Sequence, residues 1–196
     1  GNAFTVSAYK GSEALFTNQT ATSSDGGLWT NDDPQYWPLS TKLAFFAYAN
    51  TPASAVRMNA ERTADTLKYT LPADASKHQD ILLGYYYGNG GNKGIAELRF
   101  NHPLTAVRFR QGNMTGVTIK SITLSGLISG GTVTMTSGSI GDWTVGETEK
   151  YETEATLSGG EGSLAVEEGT DFIGTDIEGH YNGAFLPVPQ KLDESD

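Results

Sequence analysis

Several groups of carboxylates lie close together in the sequence: Asp32 with Asp33, Glu147 with Glu149, Glu167 with Glu168, and Asp171 with Asp176. Paired carboxylates can divide general-acid and general-base work, or hold Ca²⁺ through hard oxygen ligands. Here they occur in polar, glycine-rich stretches of a chain whose net charge is −10. Solvated surface charge is the favoured reading there, with a loosely held Ca²⁺ left open. His78, His102 and His180 are too scattered to share a metal, so each reads as a turn or surface residue rather than a ligand. The chain has no Cys, which excludes disulfides and thiolate metal sites and leaves the cellular compartment open. Gly-x-Ser-x-Gly does not occur, and the glycines from Gly88 to Gly94 lack both the phosphate-cradling pattern and the helix-opening half of a dinucleotide fingerprint. No nucleophile with a neighbouring base stands out. The expectation is a protein without catalysis, cofactor or metal.

Trp29, Tyr36 and Trp37 are the residues best suited to a ligand, because an aromatic face packs against the apolar face of a pyranose ring. The competing reading puts Trp37, beside Pro38 and just before an apolar run, in the core. Asn18-Gln19-Thr20 and Asn113-Met114-Thr115 match the glycosylation acceptor pattern, a short motif that carries little weight alone. Acidity and the lack of a Lys/Arg cluster argue against nucleic acid. No run approaches the roughly 20 apolar residues of a membrane-spanning helix.

The elements that must position these residues are strands. In Asn2 to Lys10, Phe4, Val6 and Ala8 alternate with Thr5, Ser7 and Tyr9, the period of a half-buried strand. Gly11 to Asp33 reads as a hairpin, and Leu43 to Tyr48 as a strand buried on both faces. Ala53 to Arg62 fits two weak helical turns or a loop. Leu67 to Leu71 and Asp80 to Tyr87 are further strands. Three strands are then expected between Ile95 and Leu124. Ala96, Leu98 and Phe100 share a face of the first; Thr105, Val107 and Phe109 share a face of the second, after a break at Pro103. In the third, Ile119 and Ile122 fall on opposite parities, which predicts a bulge or a change of sheet near Lys120.

No dozen residues keep a helical apolar period, so the fold class is all-β, punctuated by 24 glycines. At 196 residues the chain is long enough for one large or two small domains. Gly126, Gly130 and Gly131 mark a compositional shift. We therefore expect an N-terminal β-sandwich over residues 1–127 and a second β-rich domain over 128–196. The second has short strands (Thr132 to Thr136, Asp142 to Val145, Tyr151 to Leu157, Ser163 to Val166) and too few apolar residues for a core of its own, so it is expected to be incomplete.

A set of segments in fixed order resembles the fimbrillin family, the type V pilins and fimbrial accessory proteins of Bacteroidales. They are Phe4 to Tyr9, Trp37-Pro38 before Leu43 to Tyr48, Asp80 to Leu83, Leu98 to Leu104 with Val107 to Phe109, Ile119 to Gly126, and Phe185 to Gln190. The resemblance implies transthyretin-like, Greek-key β-sandwich domains, export as a lipoprotein, and display on the outer surface in a fimbria. It also implies assembly with other fimbrial subunits by strand addition, after a protease removes an N-terminal strand behind an Arg. No Arg precedes Phe4 here, so the lipid-bearing leader and the closing strands are expected outside this stretch of chain. Leu98, Phe100, Val107 and Phe109 are the candidates for the core beneath the acceptor groove. The alternative is a carbohydrate-binding adhesin using Trp29, Tyr36 and Trp37, with a host or bacterial surface glycan or protein as partner.

Overall fold

The computed structural model describes residues 3–33, 35–38, 40–51, 56–58, 64–70, 79–89, 94–107, 121–124, 126–128, 130–136, 138–145, 155–158 and 186–190. Every regular element among them is a β-strand. The chain forms two compact units: residues 1–69, 81–103 and 132–144 make the first, and 70–80, 104–131 and 145–196 the second. Leu127, where the composition shifts, falls in the second unit, and the chain enters and leaves each unit more than once.

The first unit is built on a six-stranded sheet. Strand β1 (Ala3–Lys10) pairs antiparallel with β2 (Glu13–Thr22) on one side and β4 (Leu43–Ala49) on the other. Beyond β2 lies the short β3 (Thr30–Asn31); beyond β4 come β7 (Leu82–Gly88) and the edge strand β8 (Arg99–Asn101). Residues directly opposite in a ladder share a face. One face therefore carries Phe4, Val6, Ala8, Phe45, Ala47, Tyr86 and Phe100, and the other Ser7, Tyr9, Ala44, Phe46, Tyr48 and Leu83.

Residues 43–48 are all buried, so β4 is covered on both faces, as its unbroken apolar run predicts. A second sheet in the same unit runs in the order β11 (Ile140–Val145), β10 (Gly130–Thr136), β6 (Ala64–Thr70), β5 (Val56–Met58). Val133 and Met135 are buried while Thr134 and Thr136 are exposed, and in β6 buried Leu67 is followed by exposed Lys68. One side of this sheet is thus dry and the other wet, with the Thr66 and Thr134 hydroxyls 3.3 Å apart on the wet side. Two sheets with dry faces in one compact unit are the layers of a sandwich.

Of Ala53 to Arg62, read as two weak helical turns or a loop, the described residues Val56–Met58 are neither. Val56–Met58 is a strand in register with β6, Val56 opposite Leu67. A ladder along β6 outweighs the weak helical propensity of so short a stretch.

A second departure lies in the β1–β2 hairpin, whose register slips between Val6 and Ala8 and again between Ala8 and Tyr9. The bulge puts Asn18 at φ 52°, and its N–H is held 2.9 Å from the buried Ser7 hydroxyl. The Tyr48 hydroxyl donates to Asn18 Oδ1. The extra residue shifts the phase of β2, so that Phe16, opposite Ala8, joins the face that carries Ala21.

In the second unit, β9 (Ser121–Leu124) pairs antiparallel with β12 (Ala155–Ser158). Leu104, Leu186 and Val188 are buried. Thr105 N–H donates to Pro187 O at 3.0 Å, and the Gln190 amide closes both ways on Ile128: Ile128 N–H to Oε1 at 2.9 Å, and Nε2 to Ile128 O at 3.3 Å.

Candidate functional site

The two faces of the six-stranded sheet are finished differently. The Phe46 face is dry at its centre, where Ser7, Tyr9, Ala44, Phe46, Tyr48 and Leu83 are buried, whereas the Phe45 face is covered only in part and leaves an open groove of about 670 Å³. Val6, Leu43 and Phe45 from the sheet make its floor; Leu28, Trp29, Tyr36 and Trp37 from the segments around β3 form one wall, and Ile95, Leu98 and Phe100 the other. The groove belongs wholly to the first unit.

Aromatic rings carry much of this surface. Phe4 lies between the walls, 4.9 Å from Trp29 and 5.0 Å from Phe100 by ring centroids. Trp37 packs at 5.4 Å on Phe45 and at 6.2 Å, edge-on, on Tyr86. Its indole N–H donates to Thr41 O at 3.2 Å, which fixes the ring against the sheet. Trp37 is half-buried against the core and also lines the groove. Tyr36 is 95% exposed and Leu28 65%, an unusual outlay of large side chains in water.

Trp29, Tyr36 and Trp37 are therefore brought together at one site. Leu98 and Phe100 are half-buried in its opposite wall. Val107 belongs to the second unit, where it is half-buried, and Phe109 lies outside the described residues. The strand expected over Ile95 to Phe100 is shorter, Arg99–Asn101, and residues 95–98 run irregularly, with Leu98 N–H bonded to Ala96 O at 3.2 Å.

Polar groups gather beside the Trp29 wall. Asn31 Nδ2 donates to Gln19 Oε1, Gln19 Nε2 to Asp33 Oδ2 at 3.3 Å, and Gln35 Nε2 to the same oxygen at 3.0 Å. Sequence reading missed Gln19, Asn31 and Gln35. They are ordinary turn and strand residues until the β2–β3 pairing, Ala21 opposite Asn31, folds them onto one another. Of the carboxylate pairs, Asp32 and Asp33 are exposed; the Glu147, Glu167 and Asp171 groups lie outside the described residues, as do His78 and His180. Among the described residues no cluster of His, Cys, Asp or Glu is placed to hold a metal, and no helix is long and apolar enough to cross a membrane.

A strand-built chain with a partly covered apolar face has the form of a binding or assembly module. The sequence pattern of the family described as fimbrillin-like matches residues 1–194, and the chain belongs to that family. No curated protein and no solved structure shows a match. Membership makes the chain kin to structural rather than enzymatic proteins. It implies a cell-surface, fimbrial location and association with other fimbrial subunits.

Proposed function

We propose that this chain is a structural, accessory or tip subunit of a bacterial surface fimbria, joined to its neighbour by an added β-strand and supporting adhesion. The observation that carries the reading is the position of β8. It ends the six-stranded sheet among the described residues, and its Phe100, with Leu98, forms a wall of the apolar groove. A strand pairing along β8, Arg99–Asn101, would find backbone partners at the edge and drop apolar side chains onto Phe4 and Phe100. Val107 and Phe109 would serve a corresponding role only in the second unit. Transthyretin-like topology, lipid anchoring at the outer membrane and completion of the second domain by further chain are parts of the same proposal.

Energetics set the terms of such a joint. Burying four alternate apolar side chains yields roughly 6 to 12 kcal/mol. Ordering about eight residues of donor backbone costs roughly 8 to 16 kcal/mol. Ladder hydrogen bonds and the drying of the acceptor's groove must supply the remainder. An acceptor groove shaped before the donor arrives would keep the ordering cost on the donor alone.

The absence of native cysteine makes the test clean. Arg99 is exposed on β8, so Arg99→Cys in the full chain should react readily with maleimide as a free subunit and be protected once assembled. Phe100→Asp should block assembly while leaving the β-sheet circular dichroism in place. Undiminished Arg99→Cys reactivity in assembled fimbriae would sink the reading.

A further inference from the structure

We propose that the end of the groove formed by Trp29, Tyr36, Asn31 and Gln35 is a binding site for neutral carbohydrate, with a hexopyranose ring stacked on the exposed aromatics. This goes beyond strand addition, and it is set at the β3 edge of the sheet, opposite the β8 edge. The aromatic half of the site is Tyr36, almost wholly in water, and Trp29, 36% exposed and propped on Phe4. A ring left so exposed offers its face to a ligand without first shedding a packing partner, and its two side-chain torsions cost little to fix.

The polar half is the chain of contacts from Asn31 to Gln19 to Asp33 to Gln35. Gln19 spends both groups of its amide in the chain, and Gln35 Nε2 donates to Asp33 O at 3.4 Å as well as to its carboxylate. Asn31 Oδ1 with the second Asn31 N–H, and Gln35 Oε1, take no part in those contacts. Donor and acceptor held side by side in a planar amide suit the adjacent hydroxyls of a sugar, each of which both gives and accepts a hydrogen bond. An acyl chain or an apolar peptide side chain at this end would strip water from those groups without replacing it, which is unfavourable. That distinguishes this end from the apolar surface of Leu98 and Phe100.

Charge narrows the ligand further. Among the described residues no Lys, Arg or His lines the groove, Glu97 does, and Asp33 is the hub of the polar chain. Sialic acid, uronates and sulfated sugars would meet carboxylates with no cation to receive them, so neutral hexoses and N-acetylhexosamines are the class selected. The volume, about 670 Å³, falls in the range of small-ligand sites.

The test uses the intact chain against an array of neutral oligosaccharides of glucose, galactose, mannose and N-acetylglucosamine, beside sialylated and sulfated counterparts. Hits are titrated by intrinsic tryptophan fluorescence. Expected are binding to a neutral glycan, no binding to its acidic counterpart, and a loss of roughly tenfold or more in Tyr36→Ala and in Asn31→Ala, at an unchanged melting temperature. Arg99→Cys, on the β8 edge and outside the groove lining, should retain glycan affinity. The proposal fails if no neutral glycan binds, if acidic glycans bind as well as neutral ones, if Tyr36→Ala binds like the parent, or if only a fatty acid shifts the fluorescence.

Discussion

Two titrating side chains tie this chain's stability to pH in opposite directions. The Asp25 carboxylate accepts from Gly27 N–H at 2.9 Å and from the Ser23 hydroxyl at 3.3 Å, and these bonds, the first the larger, hold its pKa below the usual carboxylate value. A depressed folded-state pKa adds stability that is present above the unfolded value of about 3.9 and is lost as pH falls through the lower folded one. Asp25→Asn should therefore flatten the acid limb of a stability–pH curve, read by urea titration between about pH 2 and 5. Tyr69 runs the other way: burial raises its pKa above the ordinary phenol value. Its contribution is intact below about pH 10 and is lost as pH rises through the folded-state value. Tyr69→Phe should retain stability further into alkali than the parent, and one phenol should ionise late in an ultraviolet titration. A Tyr69→Phe chain with the parent's alkaline profile would refute this. Neither shift was legible in the sequence, because Asp25 and Tyr69 acquire their surroundings only from a turn and a covered strand.

At the scale of the element, alternation made β1 readable, an unbroken apolar run made β4 readable, and β7 and β10 could be read from their residue types between glycine-rich turns. What alternation alone could not show is a register slip. The bulge in β2 moves Phe16 to the Ala21 face through a pairing with β1, and nothing local to Leu15 and Phe16 announces it. The same limit applies to β5, three residues that exist as a strand because β6 offers them a partner. Gly84 shows how closely partners can be fitted. It lies opposite Phe100, and a Cβ there would come within 3.0 Å of two atoms of that ring. Glycine at this point lets the Phe100 ring lie flat over β7 and reach Phe4. Gly84→Ala should displace the ring, loosen the Phe4 contact and lower stability by about 1 to 3 kcal/mol in urea unfolding. A small residue facing an aromatic across a ladder is visible in sequence only once the register is known.

For the whole molecule, the informative contrast is between the two faces of the six-stranded sheet. Trp29, Tyr36 and Trp37 could be picked out from their residue types, and the structure gathers them at one groove. Their amide companions could not, because Gln19 and Asn31 meet through hairpin pairing rather than spacing. The contrast between faces makes a prediction that separates folding from function. Phe46 is 0% exposed on the covered face, and Phe46→Ala should cost about 3 to 5 kcal/mol through lost burial and an unfilled cavity. Phe100 is half-buried at the groove wall, so its side chain already keeps part of its surface in water and Phe100→Ala should cost distinctly less. For strand addition the ranking should invert. Phe46→Ala chains that still fold should assemble with near-normal extent, whereas Phe100→Ala, stable as a free subunit, should assemble poorly because the incoming strand loses its largest apolar contact. Urea unfolding and sedimentation of the same two variants measure both quantities. If stability and assembly fell together in both, the groove would be no more than an imperfectly covered core.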